Sequence, residues 1–127
     1  MGKPGNTGIR RIFNAFIYSM KGINSVWIHE AAFRQEMLLF AIQVPAAYFL
    51  GNSWVERSLL IGSSLIVLLT ELLNSAIEAV VDRMGTEHHE LSGRAKDMGS
   101  AAVFISLVLN IFIWGSALVH YFLENMI

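Results

Sequence analysis

Apolar residues recur at steps of three and four through the first part of the chain, and this period predicts an amphipathic helix over residues 9–28. The polar face of that helix is basic, because it carries Arg10, Arg11 and Lys21. A basic amphipathic helix suits the plane of a membrane interface. We therefore predict a surface helix, with a helix packed against another protein as the alternative.

Three longer apolar stretches follow and predict transmembrane helices over residues 31–50, 57–82 and 98–123. The apolar run within the first, 37–50, would be about 21 Å long as a helix, against a hydrocarbon layer of about 30 Å. That span must therefore include Arg34 and Glu36 near its inner end, where long side chains can reach the headgroups. Glu30 lies four residues before Arg34, so the two are expected to share a helix face.

Glycine and polar residues separate these stretches. Residues 51–54 predict a turn between the first two spans, and Gly85 predicts the end of the second. The polar connection 87–97 is expected to be partly helical and to form one polar face from His89, Ser92, Lys96 and Ser100.

The composition agrees with an all-α membrane protein of one domain over residues 1–127. Hydrophobic residues make up 54% of the chain and charged residues 15%, and the mean hydropathy is +0.52. The chain has no cysteine, which excludes disulfides, thiolate metal sites and a cysteine nucleophile. We expect the lipid bilayer as its surroundings and no nucleic acid among its partners.

The basic residues predict the orientation. Of the nine lysines and arginines, only Arg57 lies at the end of the spans that faces the 51–54 turn. The other eight precede the first span, lie at its inner end, or separate the second span from the third. Because cytoplasmic loops carry the excess of basic residues, the N-terminus is predicted to be cytoplasmic and the C-terminus to lie on the outer side.

One stripe of the second span is polar. Glu71, Asn74, Glu78 and Asp82 fall at i, i+3, i+7 and i+11, which places them on one helix face. Ionisable groups in a membrane cost a few kcal/mol each, so they usually mark a functional site. The alternative is that the stripe joins helices through hydrogen bonds, and Asn74 is the member that best suits that structural role.

The depths of the two glutamates suggest different roles. Measured along the helix from Arg57, Glu71 lies about 21 Å inward and Glu78 about 32 Å. Their separation of about 10 Å is too large for one ion unless a substrate bridges them. Glu71 is therefore a candidate base for a lipid hydroxyl, and Glu78, with Glu30 at the same depth, is a candidate ligand of a hard cation such as Mg²⁺.

The cytoplasmic connection offers groups for a nucleotide. Lys96 and Arg94 are candidate phosphate contacts, and Asp97 could accept a hydrogen bond from a base or ribose. The sequence contains neither a P-loop motif nor the glycine loop of protein kinases. His88 and His89 suggest a transition-metal site, but adjacent histidines in such a loop are more often solvated.

Three segments carry a resemblance to a known family: Trp27 to Glu36, Glu71 to Arg83 and Glu90 to Val103. They are similar to prokaryotic diacylglycerol kinases of the Gram-negative type. The resemblance implies a homotrimeric helical bundle in the bacterial inner membrane, with sites shared between subunits. It also implies transfer of the γ-phosphoryl group of MgATP to diacylglycerol, which yields phosphatidate.

The resemblance assigns roles by position. Glu71 would be the general base with Asn74 beside it, and Glu30 and Glu78 would bind the metal and the nucleotide. Further nucleotide contacts would be Arg11, Tyr18, Glu87, His88, His89, Lys96 and Asp97. The lipid would lie near Ser19, Phe33, Arg34, Gln35, Glu36, Glu71 and Ser100.

Two positions depart from the Gram-negative pattern. Met20 stands where a tryptophan is common and Phe16 where a small residue is common, so the resemblance does not assign an acyl-chain preference. Undecaprenol is the alternative lipid, because Gram-positive relatives phosphorylate it. The alternative outside enzymology is an oligomeric proton or cation pathway lined by Glu71 and Glu78.

Overall fold

The computed structural model describes residues 7–85 and 87–126, and all regular elements in these two ranges are helices. Helix α1 covers Gly8–His29, α2 covers Ala31–Leu50, α3 covers Trp54–Arg83 and α4 covers Glu90–Asn125. The predicted all-α class is confirmed. The predicted helix over 31–50 has the same bounds as α2, and the one over 9–28 is one residue shorter than α1 at each end. The predicted helices over 57–82 and 98–123 lie within α3 and α4, which extend beyond them.

Helices α1 and α2 are separate because the chain turns at Glu30, whose φ of −119° and ψ of 108° are extended. The prediction that Glu30 and Arg34 share a helix face is therefore wrong. Arg34 instead donates from Nη1 to the carbonyl oxygens of Trp27, at 2.6 Å, and Ile28, at 3.1 Å. These carbonyls belong to the last turn of α1, where no helical N–H is available to them.

A tight turn at residues 51–53 joins α2 to α3, as predicted. Ser53 caps α3, since its Oγ accepts from the backbone N–H of Glu56 at 3.1 Å. Gly51 is buried, and a Cβ there would collide with the carbonyl oxygen of Ala47 and the side chain of Arg57. The Arg57 guanidinium lies 5.2 Å from the ring centroid of Trp54 and 5.8 Å from that of Tyr48.

A second connection joins α3 to α4 on the opposite side of the bundle. Gly85 lies two residues after the end of α3 and has a φ of 121°. Residues with a side chain rarely adopt this backbone conformation, which explains the glycine at this position. His89 precedes α4 and its Nδ1 accepts from the backbone N–H of Leu91 at 3.1 Å. The predicted helical face from His89 to Ser100 therefore begins only at Ser92, because His89 caps the helix from outside.

The core consists of small apolar clusters and a polar layer. Val26, Phe33 and Leu68 pack together near the α1–α2 junction, whereas Ala47, Leu60 and Ala117 pack near the α2–α3 turn. Between α3 and α4, the buried side chains of Ser63, Ser64 and Asn110 form hydrogen bonds. Much of the outer surface is apolar, with Phe104, Ile111 and Phe112 each more than 60% exposed.

Two of the described helices, α3 and α4, are long and apolar enough to cross a membrane. Helix α2 carries Arg34, Gln35 and Glu36 in its first two turns, which lowers its average hydropathy. That α2 forms the third span therefore stays a prediction.

Candidate active site

The polar stripe of α3 lies on one face, and its members differ in burial. Glu71, Asn74 and Glu78 are partly buried, while Asp82 is exposed near the end of the helix. Asn74 donates from Nδ2 to Oε1 of Glu78 at 3.0 Å. Its other amide atom, Oδ1, is buried and has no hydrogen-bond partner among the described residues.

Three other carboxylates lie near enough to Glu71 to affect it electrostatically. Glu36 on α2, Glu78 on α3 and Glu30 at the α1–α2 junction all act on it electrostatically. The extended backbone at Glu30 makes this possible, since it lets α1 and α2 meet beside α3. In residues 7–85 and 87–126, however, no three carboxylate or imidazole side chains are arranged to hold a metal ion.

An apolar cleft separates the second half of α1 from the face of α3 that follows Glu71. Its volume is about 670 Å³, and its lining includes His29 and Glu30. The other lining residues are small or apolar: Ser19, Gly22, Ile23, Ser25, Val26, Leu72, Leu73, Ser75, Ala76 and Ala79. Such a cleft suits the glycerol end of a lipid and the first part of its acyl chains.

Of the residues assigned to the lipid, Ser19 lines this cleft, and Phe33 packs against Val26 at its end. Arg34 is engaged with the carbonyls of α1. Gln35, Glu36, Glu71 and Ser100 are absent from its lining. The structure therefore brings together only part of the predicted lipid set.

A second, polar pocket of about 400 Å³ lies at the α3–α4 connection. It gathers four residues assigned to the nucleotide, namely Glu87, His88, His89 and Lys96. Lys96 precedes the predicted third span, and its Nζ lies 2.8 Å from Oδ1 of Asp82. The hydrogen bond and the negative charge of Asp82 raise the pKa of Lys96, because they stabilise its ammonium form.

The remaining nucleotide candidates lie elsewhere. Asp97 and Arg94 are exposed on α4 and do not line this pocket. Arg11 is exposed on the first part of α1, and Tyr18 on the same helix has Lys21 Nζ 5.9 Å from its ring centroid.

Sequence reasoning missed two contacts at the site. Asp82 was predicted only as a member of the polar stripe, and its pairing with Lys96, which joins helices across the connection, was not predicted. Gly99 was given no role, although it packs against Asn74. The small residues of the cleft, Ala76 and Ala79, could have been found because they share the helix register of Leu72.

Comparisons with known proteins identify similar chains. A family model described as prokaryotic diacylglycerol kinase matches residues 17–118. A diacylglycerol kinase of Haemophilus influenzae is 51% identical over 112 residues, which cover 88% of this chain and 95% of the relative. The Escherichia coli K12 enzyme of that name is 54% identical over 108 residues, 85% of this chain and 88% of the relative.

A third relative gives the same result. A diacylglycerol kinase of Pseudomonas aeruginosa is 49% identical over 114 residues, which cover 90% of this chain and 93% of the relative. The residues matched by the family model reach from the middle of α1 to the last turns of α4. They include the polar stripe, the cleft and the polar pocket. The chain therefore belongs to the prokaryotic diacylglycerol kinase family.

Proposed function

We propose that this protein is an ATP-dependent lipid kinase that transfers the γ-phosphoryl group of ATP to the free hydroxyl of diacylglycerol, giving phosphatidate. One observation carries the proposal. The segment of α3 that carries the partly buried Glu71 and Glu78 also lines an apolar cleft, which suits a lipid, and continues into a polar pocket containing Lys96, which suits phosphates. Relatives named diacylglycerol kinase match most of the chain.

Glu71 is the proposed general base. In the reaction its carboxylate takes the proton of the lipid hydroxyl, the hydroxyl oxygen bonds to the γ-phosphorus, and the bond from that phosphorus to ADP breaks. The partly buried position of Glu71 in a membrane-length helix supports this role, because a lipid headgroup and a carboxylate can meet there with little competing water.

Glu30 and Glu78 are the proposed magnesium ligands. Mg²⁺ usually binds one or two carboxylates together with substrate phosphates, and these two residues offer that donor set. The hydrogen bond from Asn74 fixes one oxygen of Glu78 and leaves its other oxygen for the cation. Bound Mg²⁺ would neutralise charge on the phosphates during transfer.

The nucleotide is proposed to occupy the polar pocket and to reach the polar stripe with its phosphates. Lys96 would contact a phosphate, and Asp97 would contact the base or ribose. The other proposed nucleotide contacts are Arg11, Tyr18, Glu30, Glu78, Glu87, His88 and His89. The lipid would lie against Ser19, Phe33, Arg34, Gln35, Glu36, Glu71 and Ser100.

We further propose a homotrimer in the bacterial inner membrane, with α2, α3 and α4 as spans and the N-terminus in the cytoplasm. The basic residues support this orientation, since Arg57 alone lies at the α2–α3 turn. The partly exposed acidic stripe supports assembly, because a carboxylate at membrane depth needs protein or substrate to cover it. Residues from a neighbouring copy would then complete each site.

The experiment is a phosphorylation assay with purified protein in detergent, labelled MgATP, and either diacylglycerol or undecaprenol. Labelled phosphatidate is the expected product. Label found only in undecaprenyl phosphate would move the assignment to the other lipid. Label in neither lipid, together with cation or proton flux in vesicles, would refute the kinase proposal in favour of a transport pathway.

A further inference from the structure

Gly99 lies on α4 directly opposite Asn74 of α3, at the point where the two helices approach closely. It is buried, and a Cβ built on it would overlap Oδ1 of Asn74 and lie 3.2 Å from Cγ. The other glycines of α4, Gly93 and Gly115, face open space. Since glycine is a poor helix former, its presence at position 99 is explained by this contact and not by helix stability.

The Asn74 amide points with Oδ1 toward Gly99. With Oδ1 held against Gly99, the amide nitrogen is directed to Oε1 of Glu78, at 3.0 Å. The Cβ of Asn74 lies 3.8 Å from the position that a Cβ on residue 99 would take. The side chain therefore links a backbone position on α4 to a carboxylate of the acidic stripe.

We infer that Gly99 is a positioning residue of the phosphoryl-transfer site: its missing side chain leaves the space that holds the Asn74 amide in the orientation from which it donates to Glu78. The inference rests on the proposed function, in which Glu78 binds Mg²⁺. Groups that orient a metal ligand commonly change metal affinity or activity by about 10- to 100-fold when they are altered. Gly99 acts one step further away, through Asn74.

A methyl group at position 99 leaves two outcomes for the structure. Either the Asn74 side chain rotates away, or α3 and α4 separate locally. Both break the hydrogen bond to Glu78, and the carboxylate is then free to adopt other rotamers. The Gly99→Ala variant is expected to need about 10- to 100-fold more Mg²⁺ for half-maximal activity, with a smaller change in the KM for diacylglycerol.

A double-mutant cycle tests the route of the effect. Asn74→Ala removes the amide with which the new methyl group would collide, so adding Gly99→Ala in that background is expected to cause no further loss. Gly115→Ala, a substitution of the same kind on the same helix, is the matched control and should leave the Mg²⁺ dependence unchanged. Size-exclusion chromatography and thermal unfolding are measured for every variant.

The outcomes separate the inference from the proposed function. If Asn74→Ala and Glu78→Gln both leave the Mg²⁺ dependence unchanged, the proposed role of Glu78 fails. If those variants are impaired but Gly99→Ala is not, only the role of Gly99 fails. Equal losses from Gly99→Ala in both backgrounds would also overturn it, because the effect would then bypass Asn74.

Folding provides a second readout of the same contact. Should Gly99→Ala alone fail to assemble, the double variant with Asn74→Ala is expected to assemble again, because the overlap has been removed. A double variant that is equally unfolded would refute the inference.

Discussion

The polar layer between α3 and α4 offers a test of what holds these two helices, which form a helical hairpin, together. Oδ1 of Asn110 accepts from Oγ of Ser63 at 3.1 Å and from Oγ of Ser64 at 3.2 Å. Trp114 adds a further link, since its Nε1 donates to Oγ of Ser64 at 3.1 Å. We expect Asn110→Leu to weaken the hairpin, because leucine has the same number of side-chain heavy atoms but no acceptor.

The expected loss in the free energy of unfolding depends on whether the hydroxyl protons of Ser63 and Ser64 keep an acceptor. Each serine has one hydroxyl proton, which it shares between Asn110 and the carbonyl oxygen of Leu60, at 3.0 Å for Ser63 and 3.1 Å for Ser64. Neither hydroxyl is therefore orphaned in the variant. Interhelical hydrogen bonds in membrane proteins average about 0.6 kcal/mol, so two such bonds predict a loss of about 1 kcal/mol in the free energy of unfolding.

The assay is equilibrium unfolding in mixed micelles with increasing mole fraction of sodium dodecyl sulfate, followed by circular dichroism. Asn125→Leu is the matched control, because Asn125 is exposed on the same helix and its Nδ2 donates only within that helix, to the carbonyl oxygen of Tyr121 at 2.9 Å. The control should change the free energy of unfolding by less than about 0.5 kcal/mol.

Two results would refute this reasoning. A loss for Asn110→Leu no larger than that of the control would mean that the two bonds contribute nothing to holding α3 against α4. A loss above about 4 kcal/mol would mean that the hydroxyls are left unsatisfied after all. Kinase activity measured at low temperature should be retained, because Ser63 lies eight residues, or about 12 Å, along α3 from Glu71.

Three further predictions concern the site and its connection. Glu71→Gln should lower kcat by about 100- to 10,000-fold while nucleotide binding, measured by fluorescent-analogue titration, stays normal; near-normal turnover would exclude its role as base. Glu78→Gln should raise the Mg²⁺ concentration needed for half-maximal activity, and an identical magnesium titration would count against its ligand role. Asp82→Asn should weaken ATP binding, and the loss of ATP binding at alkaline pH should occur at a lower pH than in the unmodified protein. The reason is that Asp82 raises the pKa of Lys96 and so keeps its ammonium group charged to higher pH. A superimposable pH profile of ATP binding would contradict this.

Much of the secondary structure followed from short-range patterns. Helix α1 shows the amphipathic period, and the ends of α2 and α3 coincide with Gly51 and with the Met84–Gly85 pair. These features were predictable because helix period, capping and turn preference depend on residues within a few positions of each other. The placing of Glu71 and Glu78 on one face of α3 followed from the same period.

The wrong predictions arose where the chain changes direction. Glu30 and Arg34 have helical spacing, but the backbone turns at Glu30 and Arg34 binds carbonyls of α1. His89 has helical spacing with Ser92, but it caps α4 from outside. Helical spacing does not reveal a one-residue break, because the residues on both sides of it keep their helical period.

The sequence by itself determined the class of the protein, its helices and the chemical groups that it offers. Periodicity, charge and the resemblance of its motifs to a family are properties of neighbouring residues or of position along the chain. Only the tertiary structure decided which groups meet: Asp82 with Lys96, Ser63 with Asn110, and Asn74 with Gly99. Each of these contacts joins α3 to α4, and its geometry depends on how closely the two helices pack, which no local pattern specifies.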